Sequence, residues 1–131
     1  MRLVFGAAVA VVVGLVAWLL WPSSSQATVL SADTAQHNVK LEVDSPKQGA
    51  NSIGLQITDR AGQPATVDSV TVEPVMPQMG HALTPVVAGS ESPGRYRAAG
   101  TVLPMPGQWE ITVSLHVASG TEQVVFPILV K

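Results

Sequence analysis

The chain has 131 residues, a formal charge of −2 and no cysteine. Its length allows one small domain plus an accessory segment, and the absence of cysteine excludes disulfides, thiolate zinc or haem sites and a blue-copper centre. From Thr28 onward six basic residues stand against nine acidic ones with no Lys/Arg run, which argues against a nucleic-acid partner.

Residues 3–21 contain neither a charge nor a proline. As a helix rising about 1.5 Å per residue they reach roughly 28 Å, close to the hydrocarbon thickness of a bilayer. Arg2 precedes the run, and Trp18 and Trp21 close it where aromatic rings favour the membrane interface. Residues 1–21 are therefore predicted to form a single transmembrane anchor, with everything that follows outside the cytoplasm. The competing reading is a signal peptide cleaved after the small-x-small run Ser25-Gln26-Ala27. Against it, the uncharged run is longer than the roughly 7–15 residues usual in such peptides. Both readings export the remainder.

Pro22 to Gln26 reads as a polar linker, and residues 22–37 as linker and lead-in, with 28–37 placed to cover a sheet edge. Residues 38–131 are predicted to be the folded domain. Val39, Leu41 and Val43 alternate with polar residues, as do Ile53, Leu55 and Ile57, each marking a half-buried strand. Asp59 to Pro64 is a turn, and Val67 to Val72 a third strand. Leu83 to Val87 is a weak strand broken by Pro85 and assigned to an edge. Gly89 to Gly94 is read as a turn leading into Arg95 to Leu103. Trp109, Ile111, Val113, Leu115 and Val117 alternate most strongly, and Val124, Phe126, Ile128 and Val130 share one face of a last strand. About seven short strands with turns between them define an all-β chain, an immunoglobulin-like antiparallel β-sandwich preceded by one transmembrane helix.

Apart from the initiator, the methionines are confined to two Pro/Gly-rich loops, Met76-Pro77-Gln78-Met79-Gly80-His81 and Leu103-Pro104-Met105-Pro106-Gly107. If Leu83–Val87 pairs with Arg95–Leu103 as a hairpin, the extended register sets Met79 opposite Met105 and His81 near Leu103. Thioethers and imidazole suit Cu(I), so Met79, Met105 and His81, with Met76 as a further ligand, are the candidate metal site. The alternative is structural: methionines that plug the open end of a sandwich, with sulfur against Trp109. His37 and His116 are read as solvated, and Arg95 and Arg97 as a solvated pair. No hydrolase elbow, zinc-protease or phosphate-loop motif occurs, and the chain is not expected to be an enzyme.

The order Met76-Pro77-Gln78-Met79-Gly80-His81, Gly94-Arg95-Tyr96 and Met105-Pro106-Gly107-Gln108-Trp109 resembles the YtkA-like domain, a family related to the FixH group. The resemblance spans about residues 38 to 130, and its specific part falls within 74–113. It implies an exported, often membrane-anchored immunoglobulin-like domain, with relatives in copper handling, metal efflux and assembly of copper-containing terminal oxidases. Carried over by motif, the ligand roles fall on Met76, Met79, His81 and Met105. This chain departs from the pattern by flanking Met105 with Pro104 and Pro106, which stiffens that loop. Two functions follow: a membrane-anchored Cu(I)-handling domain, or a metal-free module that docks on a membrane partner such as an oxidase or metal-transport protein. The anchor reading predicts that the mature chain keeps residues 1–27 and fractionates with membranes; an intact mass beginning at Thr28 overturns it.

Overall fold

The computed structural model describes residues 27–131, so the predicted anchor and the linker before Ala27 lie outside the described residues. In chain order the strands are β1 (Ala27–Asp33), β2 (His37–Asp44), β3 (Gly49–Asp59), β4 (Ser69–Met76), β5 (His81–Ala82), β6 (Val86–Val87), β7 (Gly89–Ser92), β8 (Arg95–Leu103), β9 (Gly107–Val117) and β10 (Gly120–Val130). A 3-10 turn, Pro77–Met79, lies between β4 and β5. Among the described residues no helix is long and apolar enough to cross a membrane.

The strands form two antiparallel sheets, one ordered β1-β2-β3-β8-β7, the other β10-β9-β4-β5 with β6 also on β4. Period-2 alternation produces this directly. In β2, Val39, Leu41 and Val43 are buried while Lys40 and Glu42 face solvent, and β9 and β10 repeat the pattern. The inner faces meet in one core in which Trp109 and Phe126 are the largest buried side chains, packed with Leu41, Leu55, Ile111, Val113 and Leu115. These are the residues that the alternation assigns to the core.

Three features differ from the sequence reading. The lead-in is a strand: β1 pairs with β2 along its whole length, from Ala27↔Asp44 to Asp33↔Asn38. Among the described residues there are ten strands rather than about seven, because β1 joins the sheet and β5 and β7 are short additions, while the expected fourth strand is reduced to β6. Finally, Leu83–Val87 does not form a hairpin with Arg95–Leu103. Val86 and Val87 pair with Val72 and Thr71 of β4, the Ala88 amide donates to the Val70 carbonyl, and only then does the chain change sheets, pairing Gly89 with Arg97. The physical reason is the open edge of β4: β9 occupies its other side, so residues 81–88 fill the vacant ladder first.

Crossing between sheets also occurs from β3 to β4, and it is fastened from β8. The Tyr96 hydroxyl accepts the Val67 amide at 3.1 Å, which stitches the crossover to the core. Two residues earlier, Gly94 has φ +74° and its carbonyl takes the Ile57 amide at 2.7 Å. A Cβ on Gly94 would lie 2.7 Å from the Ile57 carbonyl oxygen, so glycine is required both sterically and by backbone angle.

The registers define two ends of the sandwich. At one end lie the start of β1 at Ala27, the turn after Asp44, the Pro77–Gly80 turn, the loop 104–106 and the end of β10. At the other lie the turn 34–36, the crossover 60–68 and the tight turn after Val117. The packing makes a direct prediction: Trp109→Ala should cost about 3–5 kcal/mol, read as a lower midpoint in chemical or thermal unfolding. A variant that melts with the parent would refute the inward assignment of β9.

Candidate functional site

The alternation of β4 carries Val70, Val72 and Met76 inward, and Met76 is only 4% exposed. Pro77 opens the 3-10 turn, and Gly80, at φ +64°, ends it with its amide donating to the Pro77 carbonyl at 3.2 Å. This reversal pairs His81 with Met76 across the β4–β5 ladder. Directly opposed residues share a face, so His81 stands on the Met76 side of the sheet but at the exposed rim. Met79, at the tip of the turn, is 53% exposed.

The second loop is held at both of its first carbonyls. Gln48 Nε2 donates to the Pro104 carbonyl at 3.0 Å, and the Trp109 indole N–H donates to the Met105 carbonyl at 3.0 Å. Met105 packs half-buried against the core. Gly107 then takes φ +132° and lays bare backbone against Met76: a Cβ there would be 3.2 Å from the Met76 methyl carbon. The two loops therefore meet at Met76 and Gly107. The expected opposition of Met79 and Met105 does not occur, because the hairpin that implied it is absent. Met76 is in contact with Gly107 at the end of this loop.

Met76, Met79, His81 and Met105 thus occupy one end of the sandwich, in graded exposure from the core to the rim. Three are neutral thioethers and one an imidazole, a donor set suited to Cu(I) rather than to hard cations. Among the described residues no three His, Asp or Glu side chains group to hold a metal ion.

The opposite end holds a cluster that local sequence patterns do not reveal. His37, expected to be solvated, is only 12% exposed in its side chain, with Nδ1 2.8 Å from Glu122 Oε2. The Thr34 hydroxyl donates to Glu122 Oε1 at 2.5 Å, and the Gln36 amide donates to the same oxygen at 3.2 Å. Arg60 donates through its guanidinium to the Ala35 carbonyl and clamps the same turn. An open polar pocket of about 430 Å³ lies beside it, lined by Asp33, His37, Asn38, Asp59 and Arg60 among others. The Thr34 hydroxyl, helped by the Gln36 amide and His37, holds the Glu122 carboxyl below the usual glutamate range in spite of partial burial. The signal for this pair was not local, since His37 and Glu122 are 85 residues apart in sequence. His116 is half-buried on β9, with its Nδ1 3.3 Å from the Thr121 hydroxyl. Arg97 is paired with Glu91 at 3.0 Å and also donates to Ser52, so it is not simply solvated.

A family model described as YtkA-like matches residues 31–114. The chain belongs to the YtkA-like family. Its motif residues have structural work in common: Gly94 and Tyr96 fasten the crossover, while Gly107 and Trp109 set the loop against Met76. A search of curated protein sequences finds no match. Among solved structures, a crystal structure of an engineered protein is similar with a TM-score of 0.52 and 21% sequence identity over 76% of this chain. This chain spans 21% of that protein's length, and the likeness concerns the fold alone.

The Glu122 cluster predicts a pH-dependent stability. A depressed folded-state pKa adds stability that is complete above the unfolded carboxylate value and is lost as pH falls through the lower folded value. Near neutral pH, Thr34→Ala should therefore lower unfolding free energy by about 1–3 kcal/mol, and Glu122→Gln should do likewise. The deficit of Glu122→Gln should vanish in acid; a deficit that persists unchanged there would show that the carboxylate charge is irrelevant.

Proposed function

We propose that this chain is a membrane-tethered, extracytoplasmic YtkA-like domain that binds Cu(I) at its Met/His end, without enzymatic activity, in metal homeostasis or oxidase assembly. One observation carries the reading. The three methionines among the described residues, together with His81, come from two separate chain segments, 76–81 and 103–107, to a single end. Core packing accounts for Met76 and in part for Met105. It does not account for Met79, whose side chain is more than half exposed and so buries little apolar surface. Copper, when bound, would be held by neutral soft donors that neither titrate nor form disulfides in an oxidising compartment. His81 must be unprotonated to take part.

The second reading is a metal-free module whose loop end docks on a membrane protein, such as an oxidase or metal-transport subunit. It draws support from the burial of Met76 and from the Trp109–Met105 bond, which give those residues structural tasks of their own.

Titrating Cu(I) into the detergent-solubilised full chain against a competing chelator separates the two. Met79→Leu and Met105→Leu conserve volume, so stability should change by less than about 1.5 kcal/mol while Cu(I) affinity falls. Affinity should also weaken in acid, and His81→Ala should remove that dependence. Competition curves for the double Leu variant that overlay the parent's would eliminate the copper reading and leave the docking module.

A further inference from the structure

The start of β1 fixes which end of the sandwich faces the segment before it. Ala27 pairs with Asp44, so the chain enters at the end that carries the Pro77–Gly80 turn and the loop 104–106. Between the uncharged run 3–21 and Ala27 there are five residues, 22–26. Fully extended, they span at most about 18 Å. The longest strands, β3, β9 and β10, have 11 residues each and run roughly 35 Å to the far end. A tether half that length cannot reach the entry end of a domain turned with its far end on the bilayer.

The chemistry of this end matches a lipid surface. Val29, Val87 and Val125 are exposed elsewhere on the sheets, while Met79, in the end turn, is 53% exposed, and Val102 and Leu129, outward-facing residues one position from the ends of β8 and β10, are 51% and 56% exposed. They are separate apolar points rather than one patch, an arrangement suited to shallow entry among headgroups more than to a single protein pocket. Pro77, Pro104 and Pro106 add exposed residues that present no amide to desolvate. Lys47 and Lys131 stand exposed at the same end, opposed by Asp44 and the half-buried Glu110. The far end carries Asp33, Asp59, Asp68 and Glu122 around its turns, with Arg60. Charge thus favours the same orientation toward an anionic leaflet.

We propose that the Met-loop end rests on the lipid headgroup surface, with Met79, Val102 and Leu129 as its apolar contacts and the Glu122 end pointing away. The proposal rests on the anchor reading above. It places the thioether rim at the membrane, so that a donor or acceptor of its ligand must present its own site within the headgroup layer.

The chain has no cysteine, so single labels are straightforward. Gln78→Cys marks the Met-loop end and Ser119→Cys the far end; both positions are exposed. Each full-length variant, carrying a small fluorophore, is reconstituted into phosphatidylcholine–phosphatidylglycerol vesicles with spin-labelled headgroups, and association is read by flotation. The expected result is flotation of both variants, with quenching at least several-fold stronger at position 78 than at 119. Equal quenching, or stronger quenching at 119, in floating protein overturns the orientation while leaving the anchor intact. Flotation with no quenching at 78 also overturns lipid docking and leaves that end free for a protein partner. Failure to float overturns the anchor reading and this proposal together. Lys47→Glu should reduce quenching at 78 without affecting flotation, and an unchanged signal would refute the contribution of charge.

Discussion

The indole of Trp109 sets the geometry of the end that carries the methionines. Its ring is the largest fully buried side chain in the core, and at 1% exposure its N–H has no water to bond. Leaving that donor unpaired would cost about 1–3 kcal/mol. The Met105 carbonyl satisfies it, and this one bond draws the 104–106 loop over the mouth of the sandwich. Gln48 holds the preceding carbonyl, and the prolines on either side of Met105 restrict the backbone between these two fixed points. Gly107 then lies on the Met76 methyl, and Met76 is the residue from which the Pro77–Gly80 turn departs. The position of the rim is therefore a consequence of how the core satisfies one polar atom.

The two ends are fastened by different chemistry. Near the Met loops the joints are carbonyls held by uncharged donors, insensitive to pH. At the far end the joint between the β1–β2 turn and β10 runs through Glu122, Thr34 and His37, and the carboxylate is its centre. Acid therefore weakens the seam farthest from the methionines while the scaffold around Met76, Met105 and Trp109 retains its bonds. Between the ends, Tyr96 and Gly94 secure the crossover that allows one chain to build both sheets.

Much of this was legible in the sequence because strand alternation is a local signal. Val39 to Val43, Ile53 to Ile57, Trp109 to Leu115 and Val124 to Val130 each declare which side faces inward, and the core follows. The gathering of both Met loops at one end was legible as well, although through a hairpin that does not exist. What alternation cannot state is which edge a short segment will choose. Leu83–Val87, interrupted by Pro85, fits either β8 or β4, and the vacancy beside β4 decides. β1 was equally obscure, since its inward set of Thr28, Leu30 and Ala32 is only half-buried at a sheet edge. The pairing of His37 with Glu122 depends on a seam between sheets and has no local trace. Met76 is the instructive case. The even-numbered residues of β4 point inward from Val70 onward, and extending that count from Val72 through Pro74 assigns Met76 to the core before any loop is considered.

That step separates the methionines by the work each performs. A thioether packed under Gly107 meets the ordinary demand for a flexible apolar filler, and leucine could approximate it. Met79 meets no such demand: an exposed turn position next to αL Gly80 suits a polar side chain at least as well. If packing alone had shaped this end, the residue with least to pack against would be the least constrained to be sulfur-bearing. Its pairing in sequence with His81, two residues away and on the Met76 side of the sheet, gives the rim a soft donor and a nitrogen donor outside the core. Met76, at the end of β4, and Met105, on the loop that the Trp109 bond holds over the core, sit behind them. Under the proposed copper reading, the donors at this end would have positions set by the same bonds that close the core.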